Sequence, residues 1–417
     1  MNMKRRRVHA KLAALPGVRA VRRPICPGSP EQFDLYYVRS GPPSAHPLLI
    51  IPGGPGVASV ASYQRLRRRA VTLGLDVIMI EHRGVGMSRH TDSGADLPPP
   101  ALSVDQVVDD VVAVLDDTDV GTAVIYGTSY GSYIAAGIGV RHPQRVHAMI
   151  LDSPLLSRHT STAARAAIRE LLWDGDHPET AALTGKVRRL VDAGLITPIG
   201  GQIAGALYGF GGVPLLDRQL DLLLGGRTLL WRALTRFGTL TTRHVPYRNE
   251  PDLVGRIAFR ELDYAPEPDG LPLDPSAAIR EMYFGAIAFE AEPCDLVAEM
   301  PRFRWPTVVI SGGRDLATPP AVAEQVASLI PGAVLIRLPT MAHSALDSRQ
   351  PAALAIGSAV CRTNLEGLAR RARELDVLPG SDALRLATMA IKVAAAMEAA
   401  IPATLYSLRG TRRKLCH

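Results

Sequence analysis

Gly127-Thr128-Ser129-Tyr130-Gly131 sets a serine two residues from a glycine on either side. An apolar run, residues 123–126, precedes it, and Ser132-Tyr133-Ile134-Ala135-Ala136 reads as the start of a helix. A serine held on a sharp strand-to-helix turn needs small neighbours at these two places, because a Cβ there would collide across the turn. The helix N-terminus behind it adds partial positive charge where an oxyanion would form. A serine hydroxyl attacks only when a base takes its proton and an acid holds that base. In an elbow of this kind the chain order is serine, acid, histidine. Asp315 follows the apolar run 307–310 through Ser311-Gly312-Gly313-Arg314, and His343 follows the run 334–338 through Pro339-Thr340-Met341-Ala342. Asp315 is expected to hold Nδ1–H of His343, leaving Nε2 as base toward Ser129 and as acid toward the leaving group. Such acyl transfer also needs donors for the oxyanion. The backbone N–H of Tyr130 is one. The second is expected from Gly54 in Pro52-Gly53-Gly54-Pro55-Gly56, the loop after the run 48–51.

The elements that must position these residues are legible as short apolar runs. Residues 33–38 suggest an early strand; runs at 48–51, 77–80, 123–126, 148–151, 307–310 and 334–338 have the length of strands buried on both faces. Residues 104–115 place their apolar side chains on one helical face, and Ser103 with Gln106 forms a capping-box signature. Strands alternating with such helices predict an α/β fold with a mostly parallel sheet and helices on both faces. The alternation stops after Asp152 and resumes near Trp305. The intervening residues read as helices and Gly/Pro-rich loops, a helical lid inserted between late strands over the strands' C-terminal ends. The predicted organisation is a basic arm at 1–30, core at 31–153, lid at 154–303, core at 304–364 and a helical extension at 365–417.

Composition excludes several classes. The 417 residues carry a net charge of +7, concentrated at the ends in Lys4-Arg5-Arg6-Arg7 and Arg412-Arg413-Lys414, which read as solvated tails. With aromatics at 5%, stacking-based nucleic-acid recognition is not expected. Contact with an anionic membrane through the basic termini or the C-terminal helix is the less favoured reading. In the apolar stretch 382–401, Arg385, Lys392 and Glu398 would each cost about 2.5–3.5 kcal/mol at a bilayer centre, so a helix packed on the body is expected instead. Charge interrupts the N-terminal segment before any secretory h-region forms. Cys26, Cys294, Cys361 and Cys416 lack zinc-like spacing and are too few for a disulfide scaffold. A reduced, cytoplasmic protein is expected, with a Cys294–Cys361 bridge and the oligomeric state left open.

Gly53-Gly54-Pro55-Gly56, Glu81-His82-Arg83-Gly84-Val85-Gly86-Met87-Ser88 and Gly127-Thr128-Ser129-Tyr130-Gly131 together resemble the proline iminopeptidase and tripeptidyl-aminopeptidase branch of the α/β-hydrolases. The segments 145–154 and 315–319 are similar as well. Pro52 stands where that family has His, and Glu81 where it usually has Asp. The resemblance implies an α/β-hydrolase fold, with Ser129, Asp315 and His343 as triad and the N–H groups of Gly54 and Tyr130 as oxyanion hole. It further implies a serine aminopeptidase acting on short peptides with a free N-terminus, needing no metal or organic cofactor. Family members bind the substrate's ammonium with lid carboxylates, which makes Glu281 and Glu290 the candidates here. The same three side chains would equally serve a carboxylesterase or lipase, and the apolar lid segment 203–210 suits an acyl chain. A non-catalytic binding protein on the same fold is the third reading. Haloalkane dehalogenase and epoxide hydrolase chemistry are disfavoured, because both place an aspartate where Ser129 stands.

Overall fold

The computed structural model describes residues 3–241, 244–283 and 287–402. Eight strands form one sheet: β1 (Val18–Pro24), β2 (Gln32–Ser40), β3 (Leu48–Ile51), β4 (Val77–Ile80), β5 (Ala123–Thr128), β6 (Val146–Asp152), β7 (Thr307–Gly312) and β8 (Val334–Leu338). Their spatial order is β1-β2-β4-β3-β5-β6-β7-β8. The β1–β2 and β2–β4 pairs are antiparallel; every pair from β4 to β8 is parallel. Every residue of β3, β4, β5 and β7 is buried, as strands covered on both faces require. Alternate residues feed two cores. Leu49, Ile51, Ile78 and Ile125 pack on one side of the sheet, and Leu48, Ile50, Met79 and Val124 on the other.

Helices α1 (Met3–Ala13), α2 (Gln64–Thr72), α3 (Val104–Asp117) and α4 (Tyr130–Arg141) belong to the first half of the chain. Ser103 caps α3, its Oγ accepting the Gln106 N–H at 3.3 Å. The Gln106 amide donates to the Pro100 carbonyl instead of returning to the cap, so the box is only half closed. After β6 come helices, with no strand among the described residues until β7; they include α5 (Thr160–Arg169), α6 (Pro198–Leu224), α7 (Leu229–Thr241) and α8 (Pro275–Met282). This lid has its own core of Leu172, Val187, Leu216, Leu220 and Trp231. Among the described residues α6 alone is long and apolar enough to cross a membrane, and half of that apolar window is buried inside the protein. It breaks at Gly212 (φ 68°), two residues before Pro214, so it is two helices joined at a kink. Helix α9 (Asp382–Ala400) ends the described chain.

The first 30 residues depart from the expected arm. They supply α1 and the edge strand β1, which pairs with β2 from Val18↔Val38 to Pro24↔Gln32. Arg19, Arg22 and Arg23 hide the strand in the sequence, and Pro24 is tolerated because it closes an edge strand. The arginines are engaged: Arg22 reaches Asp34 and Asp92, Arg23 reaches Asp110, and Arg5 reaches the buried Glu250. Cys294 and Cys361 do not pair. Both thiols are free and pack against opposite faces of the sheet. Cys416 and Arg412-Arg413-Lys414 lie outside the described residues.

Candidate active site

Ser129 sits between the end of β5 and the start of α4 with φ 51° and ψ −124°. A non-glycine residue there costs on the order of 1–3 kcal/mol and persists only where its surroundings impose it. Its N–H donates to the Asp152 carbonyl at 2.9 Å, and its own carbonyl accepts from Ser132 Oγ at 2.6 Å and Ser132 N–H at 2.8 Å. The glycines two residues away are obligatory. A Cβ on Gly127 would lie 2.2 Å from the Gly131 carbonyl oxygen, and one on Gly131 would lie 2.1 Å from the Ile51 carbonyl oxygen.

Asp315 follows β7 and is buried; its Oδ2 lies 2.8 Å from His343 Nδ1. Its Oδ1 accepts the N–H groups of Ala317 and Thr318, both at 2.9 Å, and Thr318 Oγ1 donates to Oδ2 at 2.9 Å. Burial alone would raise this carboxyl. The charge of His343, its hydrogen bond and the Thr318 N–H outweigh burial and hold it below the usual carboxylate range. Burial likewise works to lower His343, but the Asp315 carboxylate wins and pushes the imidazole up to about 9. The ring keeps 32% of its side-chain surface exposed, so one edge remains open toward solvent.

The turns that carry Ser129 and His343 are tied to each other through their neighbours. Thr128 Oγ1 donates to Ser344 Oγ at 2.9 Å, and the Ser344 N–H donates to Ser153 Oγ at 2.9 Å. Asp152 completes the join. Its Oδ1 accepts the Ala345 N–H and its Oδ2 the Leu346 N–H, each at 2.9 Å, and Tyr126 OH donates to Oδ2 at the same distance. No hydrogen bond links Ser129 Oγ to the imidazole among the described residues; such bonds are often long before substrate is bound.

The loop after β3 passes over the Ser129 turn: a Cβ on Gly53 would meet Ser129 Cβ at 3.1 Å. Gly54 takes φ 126°, a conformation that excludes ordinary side chains. Tyr130 opens α4, so its N–H has no intrahelical acceptor and is free to bind an anion. The lid clamps this loop from the other side. Glu250 N–H donates to the Gly56 carbonyl at 2.8 Å, and Ala58 N–H to the Arg248 carbonyl at 2.9 Å. The buried Glu250 carboxylate accepts from Gly86 N–H at 2.9 Å, Tyr247 N–H at 2.8 Å and Arg5 at 2.9 Å. Glu81, where the resembled family has Asp, is also wholly buried. It accepts from Val60 N–H at 2.8 Å and Met87 N–H at 3.0 Å, tying together the loops after β3 and β4. Next to it, burial drives His82 down to about 4, so it is neutral near pH 7; its Nε2 faces the Pro52 carbonyl at 3.5 Å.

Residues 46–180 match the family described as alpha/beta hydrolase fold. The proline iminopeptidase of Neisseria meningitidis serogroup A is 26% identical over 136 residues, which are 32% of this chain and 40% of that protein. Rhodomycin D methylesterase DauP of Streptomyces sp. is 25% identical over 328 residues, 78% of this chain and 94% of that protein. The crystal structure of proline iminopeptidase from Mycobacterium smegmatis superposes with a TM-score of 0.53 at 18% identity, covering 83% of this chain and 98% of that one. This chain has the α/β-hydrolase fold. It spans about 40% of the length of the curated proline iminopeptidases it matches.

A cavity of about 210 Å³ opens over Ser129. Leu155, Ala164, Leu262, Ile279 and Leu316 make its apolar wall; Thr160, Ser276 and Thr318 add hydroxyl-bearing positions. No carboxylate lines it among the described residues. Glu281 lies on the exposed side of α8, whose Pro275, Ser276 and Ile279 face the cavity. Glu290 is also exposed, with Arg260 at 3.8 Å. Neither reaches Ser129's cavity; Phe284, Gly285 and Ala286 between them lie outside the described residues. Sequence reasoning missed the parts that fix the site from behind: Thr128, Asp152, Ser153, Ser344 and Glu250. An aspartate ending an otherwise apolar strand, as Asp152 ends Ala148-Met149-Ile150-Leu151, was the available signal.

Proposed function

We propose that this protein is a serine hydrolase of carboxylic esters with an apolar acyl or alcohol group. The carrying observation is the cavity over Ser129, apolar and hydroxyl-lined, with no carboxylate among its described residues to bind an ammonium group. Burying an unpaired charged amine there would cost several kcal/mol, on the order of 3–5, whereas an ester loses little. That a methylesterase aligns over 94% of its own length supports the same reading.

Ser129 Oγ attacks the ester carbonyl carbon as its proton passes to His343 Nε2. The oxyanion is held by the N–H groups of Gly54 and Tyr130. The carbon–oxygen bond to the alcohol breaks, and the alcohol leaves with the proton from His343. Water then attacks the acyl-enzyme by the same route in reverse, releasing the acid and restoring Ser129. Asp315 keeps Nδ1 protonated and offsets the charge of the imidazolium.

Aminopeptidase action on short peptides is the second reading, favoured by the proline iminopeptidase match over the first part of the chain. A paired assay separates the two: p-nitrophenyl butyrate against proline p-nitroanilide, with Ser129→Ala as control. Ester turnover that disappears in Ser129→Ala is expected. Turnover of the anilide alone overturns the ester reading. Failure of both, with no fluorophosphonate labelling of Ser129 in folded protein, leaves a binding protein.

A further inference from the structure

Helix α9 is amphipathic in the reverse sense. Its inward side carries Ala395 and Glu398, both buried. The Glu398 carboxylate accepts the N–H groups of Leu229 at 2.7 Å and Leu230 at 2.9 Å, locking α9 to the start of α7. Leu386, Met389, Val393 and Met397 recur at helical spacing on the opposite side and are 68%, 64%, 49% and 67% exposed. Single exposed leucines are ordinary; four large apolar residues in one stripe mark an interaction surface.

Charge indicates what covers it. Arg385 and Lys392, seven residues apart, flank the apolar stripe on one side and are exposed. They open onto a cavity of about 370 Å³ between α9, the middle of α6 and the His343 loop, lined also by Thr340, Ser348 and Thr388 and by Arg349, whose guanidinium is paired with Asp376 at 3.4 Å. Asp382, the acid at the outward start of α9, is held by Arg65 at 3.2 Å and Arg69 at 3.3 Å. The segment 403–417 that follows holds Arg409, Arg412, Arg413 and Lys414 and no acidic residue. An apolar stripe with a cationic rim and a cation-lined, hydroxyl-bearing recess matches acyl chains below and phosphate headgroups beside.

We infer that the outward face of α9 docks on an anionic phospholipid bilayer. Leu386, Met389, Val393 and Met397 enter the interface, and Arg385 and Lys392 contact headgroup phosphate, one of which the recess receives. This docking is independent of whether Ser129 cleaves esters or peptides. A second copy of the chain fits the apolar stripe but gives no use for the cations beside it.

The full chain is co-sedimented with phosphatidylcholine vesicles with and without phosphatidylglycerol, at low and high salt. Binding about tenfold or more tighter to the anionic vesicles, weakened by salt, is expected. Leu386→Ser with Val393→Ser, and separately Arg385→Glu with Lys392→Glu, each reduce it about tenfold or more, with melting temperature unchanged. Equal binding to both vesicle types overturns the inference. So does undiminished binding by the serine pair, which would assign all affinity to the basic segment 403–417. A dimer in solution that the serine pair dissociates, without vesicle binding, assigns the face to self-association. Hydrogen exchange on the unaltered chain decides even if the variants unfold: residues 382–400 gain protection on anionic vesicles, and no gain overturns the inference.

Discussion

Thr128 and Ser344 share a hydrogen bond of 2.9 Å, Oγ1 to Oγ, although 216 positions separate them in the chain. One precedes Ser129 and the other follows His343. The relative placement of these two side chains is therefore set by the ends of β5 and β6 acting on the loop after β8. Ser344 takes φ 61° and caps the short helix Ala345–Ser348, so this loop has little freedom of its own.

Thr128→Val keeps the shape of the side chain and removes the donor. A fall in kcat of about tenfold, with KM changed less than about twofold, is expected from a loop that drifts by a fraction of an ångström. Stability should fall by about 1 kcal/mol. Thr128→Ser restores both. A rise in KM with kcat unchanged contradicts the positioning role.

With His343 raised to about 9, the free enzyme holds its imidazole largely protonated at pH 7. The kcat/KM for an ester should climb through the neutral range and level off above about 9. Asp315→Asn moves that limb to lower pH and lowers the plateau by about 10⁴-fold. Stability follows the opposite sign. The imidazole's contribution is complete below its ordinary value of 6.5 and is lost as pH rises through about 9. The Asp315 contribution, whose value is depressed, is lost toward acid. Melting temperatures of wild type and Asp315→Asn across pH check both limbs.

Ala164 is 5% exposed and lines the cavity over Ser129. Ala164→Phe should shorten the accepted acyl chain, lowering kcat/KM for hexanoyl and longer p-nitrophenyl esters by about tenfold or more while sparing acetate. Uniform loss across the series means that the acyl group lies elsewhere.

Glu281→Gln and Glu290→Gln alter carboxylates that stand in solvent, so KM for any aminoacyl arylamide should stay within about twofold of wild type. A tenfold rise from either would restore the ammonium contact and with it the peptidase reading.

The parts of the molecule written in local sequence were readable. Residues 48–51, 77–80 and 334–338 are apolar runs bounded by turn residues, and each became a strand with those ends. Asp315 and His343 were chosen from their places after such runs, and the structure sets Oδ2 and Nδ1 of the two 2.8 Å apart. What escaped reading depends on partners far away in the chain. β1 pairs as an edge strand despite its arginines, since only a neighbour such as β2 reveals which of its residues face inward. Asp152 and Glu250 look like ordinary surface acids until the loops that donate to them are folded around them. Glu281 and Glu290 lie outside the cavity lining for the converse reason. A helical segment of the right kind does not say which of its faces the cavity receives.

The Arg5–Glu250 pair joins residues 245 positions apart, and Glu250 also clamps the Gly56 loop. During synthesis Arg5 leaves the ribosome long before Glu250 has been made, so this brace closes only after residue 250 has emerged; until then α1 has the Gly86 carbonyl and Tyr36 to hold it. A tag fused ahead of α1 hangs from the brace that steadies the mouth over Ser129.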